Sequence, residues 1–329
     1  MEKKTVLVLF PCAPEEREIL IRQTGERCHI LFREEDWTVE QYRQALGDAH
    51  VILGEPRNED FPFCTRLELM HSPCSGVNYY VQGGTFPRDA IFCCMTGGYG
   101  NIIAEHMLAM TLSLCRRLPE YRDQQREHKW QLRKYDKQLE GSTVLILGAG
   151  DIGTNAARLF KMMDCRITGV RRVVRDVPKE FDAMITLEQV DTVLPEADIV
   201  ICCMPHTPLT QGFFTKARFE KMKSTAIFVN VGRGTLVDHE ALADVLNEGK
   251  IFGAALDVTF PEPLPENHPL WKCRNVLITP HVSGQTFAGL KDKENFFFQV
   301  CKENLENYRD RNPLQNQVDL KTGYRVTTN

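Results

Sequence analysis

The sequence predicts an α/β protein made of two doubly wound parallel-sheet domains. Three observations predict it. First, the stretch Thr143 to Gly153 runs four apolar residues (Val144, Leu145, Ile146, Leu147) into Gly148, Gly150 and Gly153, then into a helical pattern through Ala156, Ala157, Leu159, Phe160 and Met163. That is a strand, a tight turn and a helix. Second, the first hundred residues alternate short apolar runs with helical patterns, the mark of a parallel sheet with crossover helices. Third, the chain has 329 residues, more than one simple core accommodates.

The elements follow in order. Val6–Phe10 reads as a strand, Pro14–Arg22 as a short helix, and Ile30–Phe32 as strand-like. Thr38 can cap a helix running to Leu46. Val51–Gly54, Leu67–Met70 and Ile91–Met95 are further strands. A long apolar helix, Ile102–Leu118, is expected to end or kink at Pro119. The charged segment Glu120–Lys137, with Trp130 inside it, reads as a connection, a solvated arm or a dimer contact. The second sheet begins at Thr143 and continues through Ile199–Met204, Ala226–Val231, Gly253–Val258 and Val276–Thr279. A helix over Asp238–Asn247 stops at Gly249. Thr286–Tyr308 is helical, with Leu290, Phe296, Phe297 and Val300 on its apolar face. The polar tail from Asn312 is expected to be loosely ordered.

Composition excludes several classes. The chain is 43% hydrophobic and 26% charged, with a net charge of −4, which gives no electrostatic reason to expect nucleic acid or an anionic membrane as a partner. No stretch has the length of a membrane span, and the apolar run at the N-terminus is too short for a signal peptide. The 12 cysteines include adjacent pairs, Cys93-Cys94 and Cys202-Cys203, and no CxxC. They read as reduced cytoplasmic thiols serving as small hydrophobes, and no Cys/His spacing suits a metal.

The spacing Gly148-x-Gly150-x-x-Gly153, between a buried strand and a helix, is a dinucleotide-binding fingerprint in its required context. Gly148 permits the turn, Gly150 lets a pyrophosphate approach the backbone, and Gly153 lets the helix pack on the strand. Asp151 and Ile152 open the helix, whose N-terminus faces the phosphates. An acidic residue roughly 20 residues beyond the turn usually binds the ribose 2′-OH. Arg171 stands there instead, followed by Arg172. A guanidinium suits a 2′-phosphate, so the pattern favours NADP over NAD; the other reading is two arginines solvated at a strand end.

Three later strands each lead to a reactive side chain: Arg233 within Gly232-Arg233-Gly234, Glu262 within Pro261-Glu262-Pro263, and His281 after Thr279-Pro280. Ligands of an open α/β sheet sit at the carboxyl ends of its strands. An arginine can dock a carboxylate bidentately. A histidine can protonate a carbonyl oxygen as hydride reaches its carbon, and a carboxylate beside it stabilises the imidazolium.

These residues also resemble those of the D-isomer-specific 2-hydroxyacid dehydrogenases, a family that includes glyoxylate/hydroxypyruvate reductases and phosphoglycerate dehydrogenases. The matching stretches are Ser75-Gly76-Val77-Asn78, Ala104-Glu105-His106, Gly148 to Gly153, Met204 to Thr210, Asn230 to Gly234, Ala255 to Val258, Glu262-Pro263-Leu264 and Thr279 to Ser283. They follow the family's order over about residues 67 to 285. The resemblance implies interconversion of small 2-keto acids and D-2-hydroxy acids. It makes Arg233 the carboxylate clamp, His281 the acid/base and Glu262 its partner. It places Asp257 near the nicotinamide, and Pro205, Thr210, Val231, Gly232 and Ser283 around the cofactor. Backbone N–H groups of Ser75, Gly76 and Val77 meet the substrate carboxylate, and Tyr99, in the glycine-rich loop Gly97–Gly100, reads either as a substrate neighbour or as a surface tyrosine.

The resemblance further implies a Rossmann nucleotide domain (103–286) inserted in a smaller flavodoxin-like substrate domain (1–102 plus 287–329), and a homodimer. His106 and His206 read as structural or as supports standing behind a site residue, and Trp271 as packing or as a substrate wall. A second class stays open: a dinucleotide-sensing corepressor that binds partner proteins and turns over slowly. The intact Arg, Glu and His set argues against it, and Glu262 argues against formate as substrate.

Overall fold

The computed structural model describes residues 3–24, 28–74, 76–77, 79–80, 84–133, 137–284 and 291–326. The chain divides into two compact units, Met1–Gly98 with Ala288–Asn329, and Tyr99–Phe287.

The first unit holds a five-stranded parallel sheet: β1 (Lys4–Val8), β2 (Cys28–Phe32), β3 (Val51–Leu53), β4 (Leu69–His71) and β5 (Ile91–Cys93), in the order β2-β1-β3-β4-β5. That is the doubly wound, flavodoxin-like order. One sheet face packs Leu7, Ile52, Met70 and Phe92 against Leu46, Phe61, Tyr80 and Phe86. The helix Val39–Asp48 starts at Thr38 in a capping box with Gln41. The helix Lys291–Asp310 returns to this unit and buries Phe297, Phe298, Val300, Cys301 and Leu305. Phe297 meets Phe10 edge-on at 4.8 Å and stacks on His71. Leu290, the start at Thr286 and the Phe296 side chain lie outside the described residues.

The second unit holds seven parallel strands: β6 (Thr143–Leu147), β7 (Arg166–Val170), β8 (Ala183–Ile185), β9 (Ile199–Cys202), β10 (Ile227–Asn230), β11 (Gly253–Leu256) and β12 (Val276–Ile278). Their order is β12-β11-β10-β9-β6-β7-β8. The chain winds outward one way from β6 and the other way from β9, which makes the boundary between them a topological switch point. Alternate residues serve opposite faces. Leu145, Leu147, Val200, Phe228 and Leu256 enter one core, with Leu242 and Val245 of the helix His239–Asn247. Val144, Ile146, Ile201 and Val229 enter the other, with Met107, Ala156 and Phe160 of the helices Gly100–Cys115 and Asp151–Lys161. Two covered faces explain the unbroken apolar strands.

None of the twelve cysteines is in a disulfide, and burial pushes the thiols of Cys93 and Cys202 up to about 12, which leaves them unreactive. Among the described residues no helix is long and apolar enough to cross a membrane.

Two local expectations are corrected, and one strand is added. Pro119 does not end a helix; it lies in the first turn of the next one, Leu118–Arg126, where its missing N–H costs nothing. The break is made by Arg117, at φ 51°. Residues 313–326 of the tail are folded: β13 (Val318–Asp319) pairs with β14 (Tyr324–Arg325), Val318 is buried, and Asn316 Nδ2 donates to Thr96 O at 2.8 Å. β8 is an additional edge strand, too short to show any periodicity in sequence.

Candidate active site

β6 ends at Leu147, and the glycine turn follows. Gly148 has φ 100°, which an L side chain rarely adopts. A Cβ on Gly153 would lie 2.2 Å from Gly148 O, so the helix Asp151–Lys161 packs on the turn only because that position is glycine. Gly150 is different. It is the helix N-cap, with φ −88°, and a Cβ there would meet nothing within 4 Å. The fold does not need a glycine at this point; a group approaching from outside does. With the helix N-terminus behind it and no side-chain cap, the open space suits a phosphate group. The residues present therefore fit a dinucleotide.

Arg171 directly follows β7. Its backbone N–H donates to Ile185 O at 3.0 Å, and its Nε donates to Ala149 O at 2.8 Å. The guanidinium is anchored beside the glycine turn, with Asp176 Oδ1 at 3.7 Å from Nη1. Arg172 is exposed. Asp151 accepts from Asn155 Nδ2, and Ile152 is half-buried.

On the other side of the switch point, the chain leaves β9 through Met204 and Pro205. Gly232 packs against it: a Cβ would lie 2.6 Å from Met204 O. Pro205 is half-buried and Val231 buried. Thr210 is 2% exposed, and its hydroxyl is spent inside the loop, donating to Pro205 O at 2.7 Å and accepting from Thr207 N at 2.8 Å. Thr210 shapes the loop from within.

β10, β11 and β12 lie side by side, with Asn230, Leu256 and Ile278 level across them. Their carboxyl-end loops therefore emerge together. Asn230 is fully buried; its Oδ1 accepts from Gly232 N at 3.0 Å and its Nδ2 donates to Arg233 O at 3.1 Å. This side chain folds the turn that presents Arg233. Gly234 touches the next loop: a Cβ would lie 1.9 Å from Thr259 O. Thr259 N then donates to Glu262 Oε1 at 3.1 Å, and Glu262 Oε2 meets His281 Nδ1 at 2.9 Å. Arg233, Glu262 and His281 are thus linked through adjacent backbone. The pair is half-exposed, at 51% for His281 and 41% for Glu262, within reach of a ligand.

Asp257 is 1% exposed. His281 N donates to its carbonyl at 2.8 Å. Val282 N donates to Oδ1 at 2.9 Å and Ser283 N to Oδ2 at 3.0 Å. One residue gathers three successive amides and folds His281 into φ 54°. Burial pushes the Asp257 carboxyl up, but hydrogen bonds from Ser283, Thr279 and Val282 outweigh it and hold the group below the usual carboxylate range. Its carboxylate is directed at its own chain, and buried Ser283 belongs to the same arrangement.

In the first unit, Gly76 is half-buried and Val77 sends its side chain into the core; Ser75 lies outside the described residues. Tyr99 precedes the helix Gly100–Cys115 and packs on the second unit's core. His206 Nδ1 meets Thr235 Oγ1 at 2.7 Å, and Trp271 Nε1 donates to Pro265 O at 2.9 Å. Asn230, Thr259 and Thr279 escaped the sequence reading as functional residues. Asn230 and Thr279 had a signal, a polar side chain at the end of an apolar strand. Among the described residues no group of three or more His, Cys, Asp or Glu could hold a metal.

The family model for the NAD-binding domain of D-isomer-specific 2-hydroxyacid dehydrogenases matches residues 108–283, more than half of the chain. The chain belongs to that family. With it, the chain belongs to the NAD(P)-dependent oxidoreductases. A solved structure of a D-isomer-specific 2-hydroxyacid dehydrogenase from Xanthobacter autotrophicus Py2, in complex with NADPH and MES, matches with a TM-score of 0.79 at 25% identity, over 97% of this chain and 99% of that one. Human glyoxylate reductase/hydroxypyruvate reductase is 38% identical over 192 residues, 56% of this chain and 57% of that protein. The mitochondrial formate dehydrogenase of Hordeum vulgare is 35% identical over 284 residues, 80% of this chain and 74% of its own length. The two-sheet α/β architecture expected from the sequence is the architecture of the family.

Proposed function

We propose that the protein is an NADPH-preferring reductase of small 2-keto acids, of the glyoxylate and hydroxypyruvate kind, forming D-2-hydroxy acids. The observation that carries this reading is the 2.9 Å pair of His281 Nδ1 and Glu262 Oε2 at the carboxyl edge of a sheet whose glycine turn fits a dinucleotide. When bound, the reduced nicotinamide supplies hydride. Gly148, Gly150, Asp151, Ile152 and Gly153 hold its phosphates, and Arg171 with Arg172 takes the 2′-phosphate. Pro205, Val231 and Gly232 form the wall across the switch point.

Arg233 binds the substrate carboxylate. Glu262 fixes the His281 ring through Nδ1, leaving Nε2 to deliver a proton to the keto oxygen. Both products of polarised carbonyl reduction, the new C–H and the new O–H, are then accounted for. Glu262 favours a hydroxy acid over formate, because a substrate whose oxidation releases no alcohol proton has no use for an acid/base pair. The NADPH complex of the Xanthobacter relative supports the preference for the phosphorylated cofactor.

Oxidation of NADPH and of NADH, followed by nicotinamide absorbance with glyoxylate, hydroxypyruvate, pyruvate and formate in the matching direction, tests the proposal. Expected is turnover of a 2-keto acid with NADPH, lost by about a hundredfold or more in His281→Ala. Near wild-type turnover in that variant, or tight dinucleotide binding without turnover, overturns it; the second result moves the reading to a dinucleotide sensor. We also propose a homodimer formed through the nucleotide unit. Trp130 and Leu132, fully and 91% exposed respectively, support that arrangement.

A further inference from the structure

His106, on the helix Gly100–Cys115, plays no part in the chemistry above. Its Nε2 stands 3.1 Å from Thr279 Oγ1 and 3.8 Å from Asp257 Oδ1. Thr279 Oγ1 in turn stands 2.6 Å from Asp257 Oδ1. A hydroxyl has one proton to donate, and an ionised carboxylate only accepts. The Thr279 proton therefore goes to Asp257. The Thr279 oxygen then accepts from His106, which fixes a proton on His106 Nε2. The chain runs one way: His106 Nε2–H to Thr279 Oγ1–H to Asp257 Oδ1.

At its far end, Asp257 receives the amides of His281, Val282 and Ser283. The φ of 54° at His281 is one that an L residue keeps only when its surroundings over-determine it. At the near end, the same helix is docked on the dinucleotide helix: a Cβ on Gly100 would lie 2.6 Å from Asp151 Oδ1, and Arg158 Nη2 donates to Asn101 Oδ1 at 2.7 Å. One rigid helix thus touches the start of the cofactor-binding helix and the back of the His281 turn.

We propose that His106 is a positioning residue for His281, acting through Thr279 and Asp257, and that the helix Gly100–Cys115 sets the proton donor in register with the dinucleotide site. The inference rests on the reading of His281 as proton donor. Misplacement of a reacting group by a fraction of its bond reach costs rate far more than binding.

The test uses the full chain and four single variants, H106A, H106Q, T279V and T279S, together with the double variant H106A/T279V. Nitrogen-15 NMR of the wild type is expected to find the His106 proton on Nε2. H106A and T279V are expected to lower kcat by about ten- to a hundredfold, with KM for the keto acid changed less than about threefold. H106Q, whose amide N–H reaches the place of Nε2, and T279S recover most of the loss. The double variant is no slower than T279V, as members of one chain require. The His281 ring resonances shift in H106A and return in H106Q, a readout that needs no turnover. An unprotonated Nε2, or a folded H106A with kcat within about twofold of wild type, overturns the proposal. If H106A does not fold, T279V and the tautomer decide. If the wild type reduces no keto acid, the reading of His281 has failed instead, and the NMR shifts alone judge the relay.

Discussion

Arg171 carries the cofactor preference on one side chain. Its Nε is held by Ala149 O, so the guanidinium is already fixed beside the glycine turn, and ordering it costs little when a phosphate arrives. Arg171→Ser is expected to raise KM for NADPH by about tenfold or more, the loss of one charge-assisted hydrogen-bonded contact, and to leave KM for NADH nearly unchanged. Steady-state kinetics with both cofactors check this; equal losses on the two would sink the 2′-phosphate reading. Arg233, Glu262 and His281 were legible because each follows an apolar strand and each brings chemistry that the other two lack. Their supports were not. Asn230, Thr259 and Thr279 are ordinary polar residues whose roles depend on a neighbouring turn, and His106 lies 173 positions from the hydroxyl it meets.

Among the elements, the glycine turns differ in what demands the glycine. A methyl group at Gly150 enters open space, whereas one at Gly234 strikes Thr259 O at 1.9 Å and displaces the loop that carries Glu262. Gly150→Ala is expected to keep the wild-type melting temperature and to weaken dinucleotide binding by about tenfold, because it closes the approach to the turn. Gly234→Ala is expected to lower the melting temperature and to cut kcat by at least about tenfold, with dinucleotide affinity less affected. Calorimetry and fluorescence titration of the two variants separate the cases. Equal behaviour would mean that Gly150, too, is required by the fold. The helix Leu118–Arg126 teaches a related lesson. Proline reads as a stop, but two residues after one at positive φ it serves as a start.

For the whole molecule, two buried histidines are expected to weaken the fold in mild acid. Burial holds His71 at about 4, and burial together with the nearby His268 holds His239 at about 4, against 6.5 for a free imidazole. Both are neutral in the fold. Below pH 6.5 the unfolded chain takes up protons that the folded chain refuses, so stability falls as pH drops from about 6.5 towards 4. Each site accounts for roughly 3 kcal/mol at the limit. Urea midpoints measured at pH 7, 5.5 and 4.5 are expected to fall in that order, and the fall is expected to shrink in His71→Phe and in His239→Phe. A flat profile in the wild type would remove these histidines as the cause. The homodimer makes a separate expectation. Trp130→Glu with Leu132→Glu should shift the species seen by light scattering from dimer to monomer, since an interface core rejects charge.

Sequence alone determined the two α/β sheets, the glycine turn, the family resemblance and the three polar residues at strand ends. These follow from local rules: an apolar run buried on both faces, glycine where a backbone must turn or be approached, and strand ends as the place where side chains meet ligands. Only the tertiary structure decided that Asp257 gathers three amides, that Asn230 folds the Arg233 turn, and that residues 313–326 are packed. It alone showed that a histidine on a distant helix reaches Asp257 through Thr279. The reason is physical. A hydrogen bond between residues far apart in the chain leaves no period and no spacing in the sequence, because its partners become neighbours only when the sheet and the helices close around them.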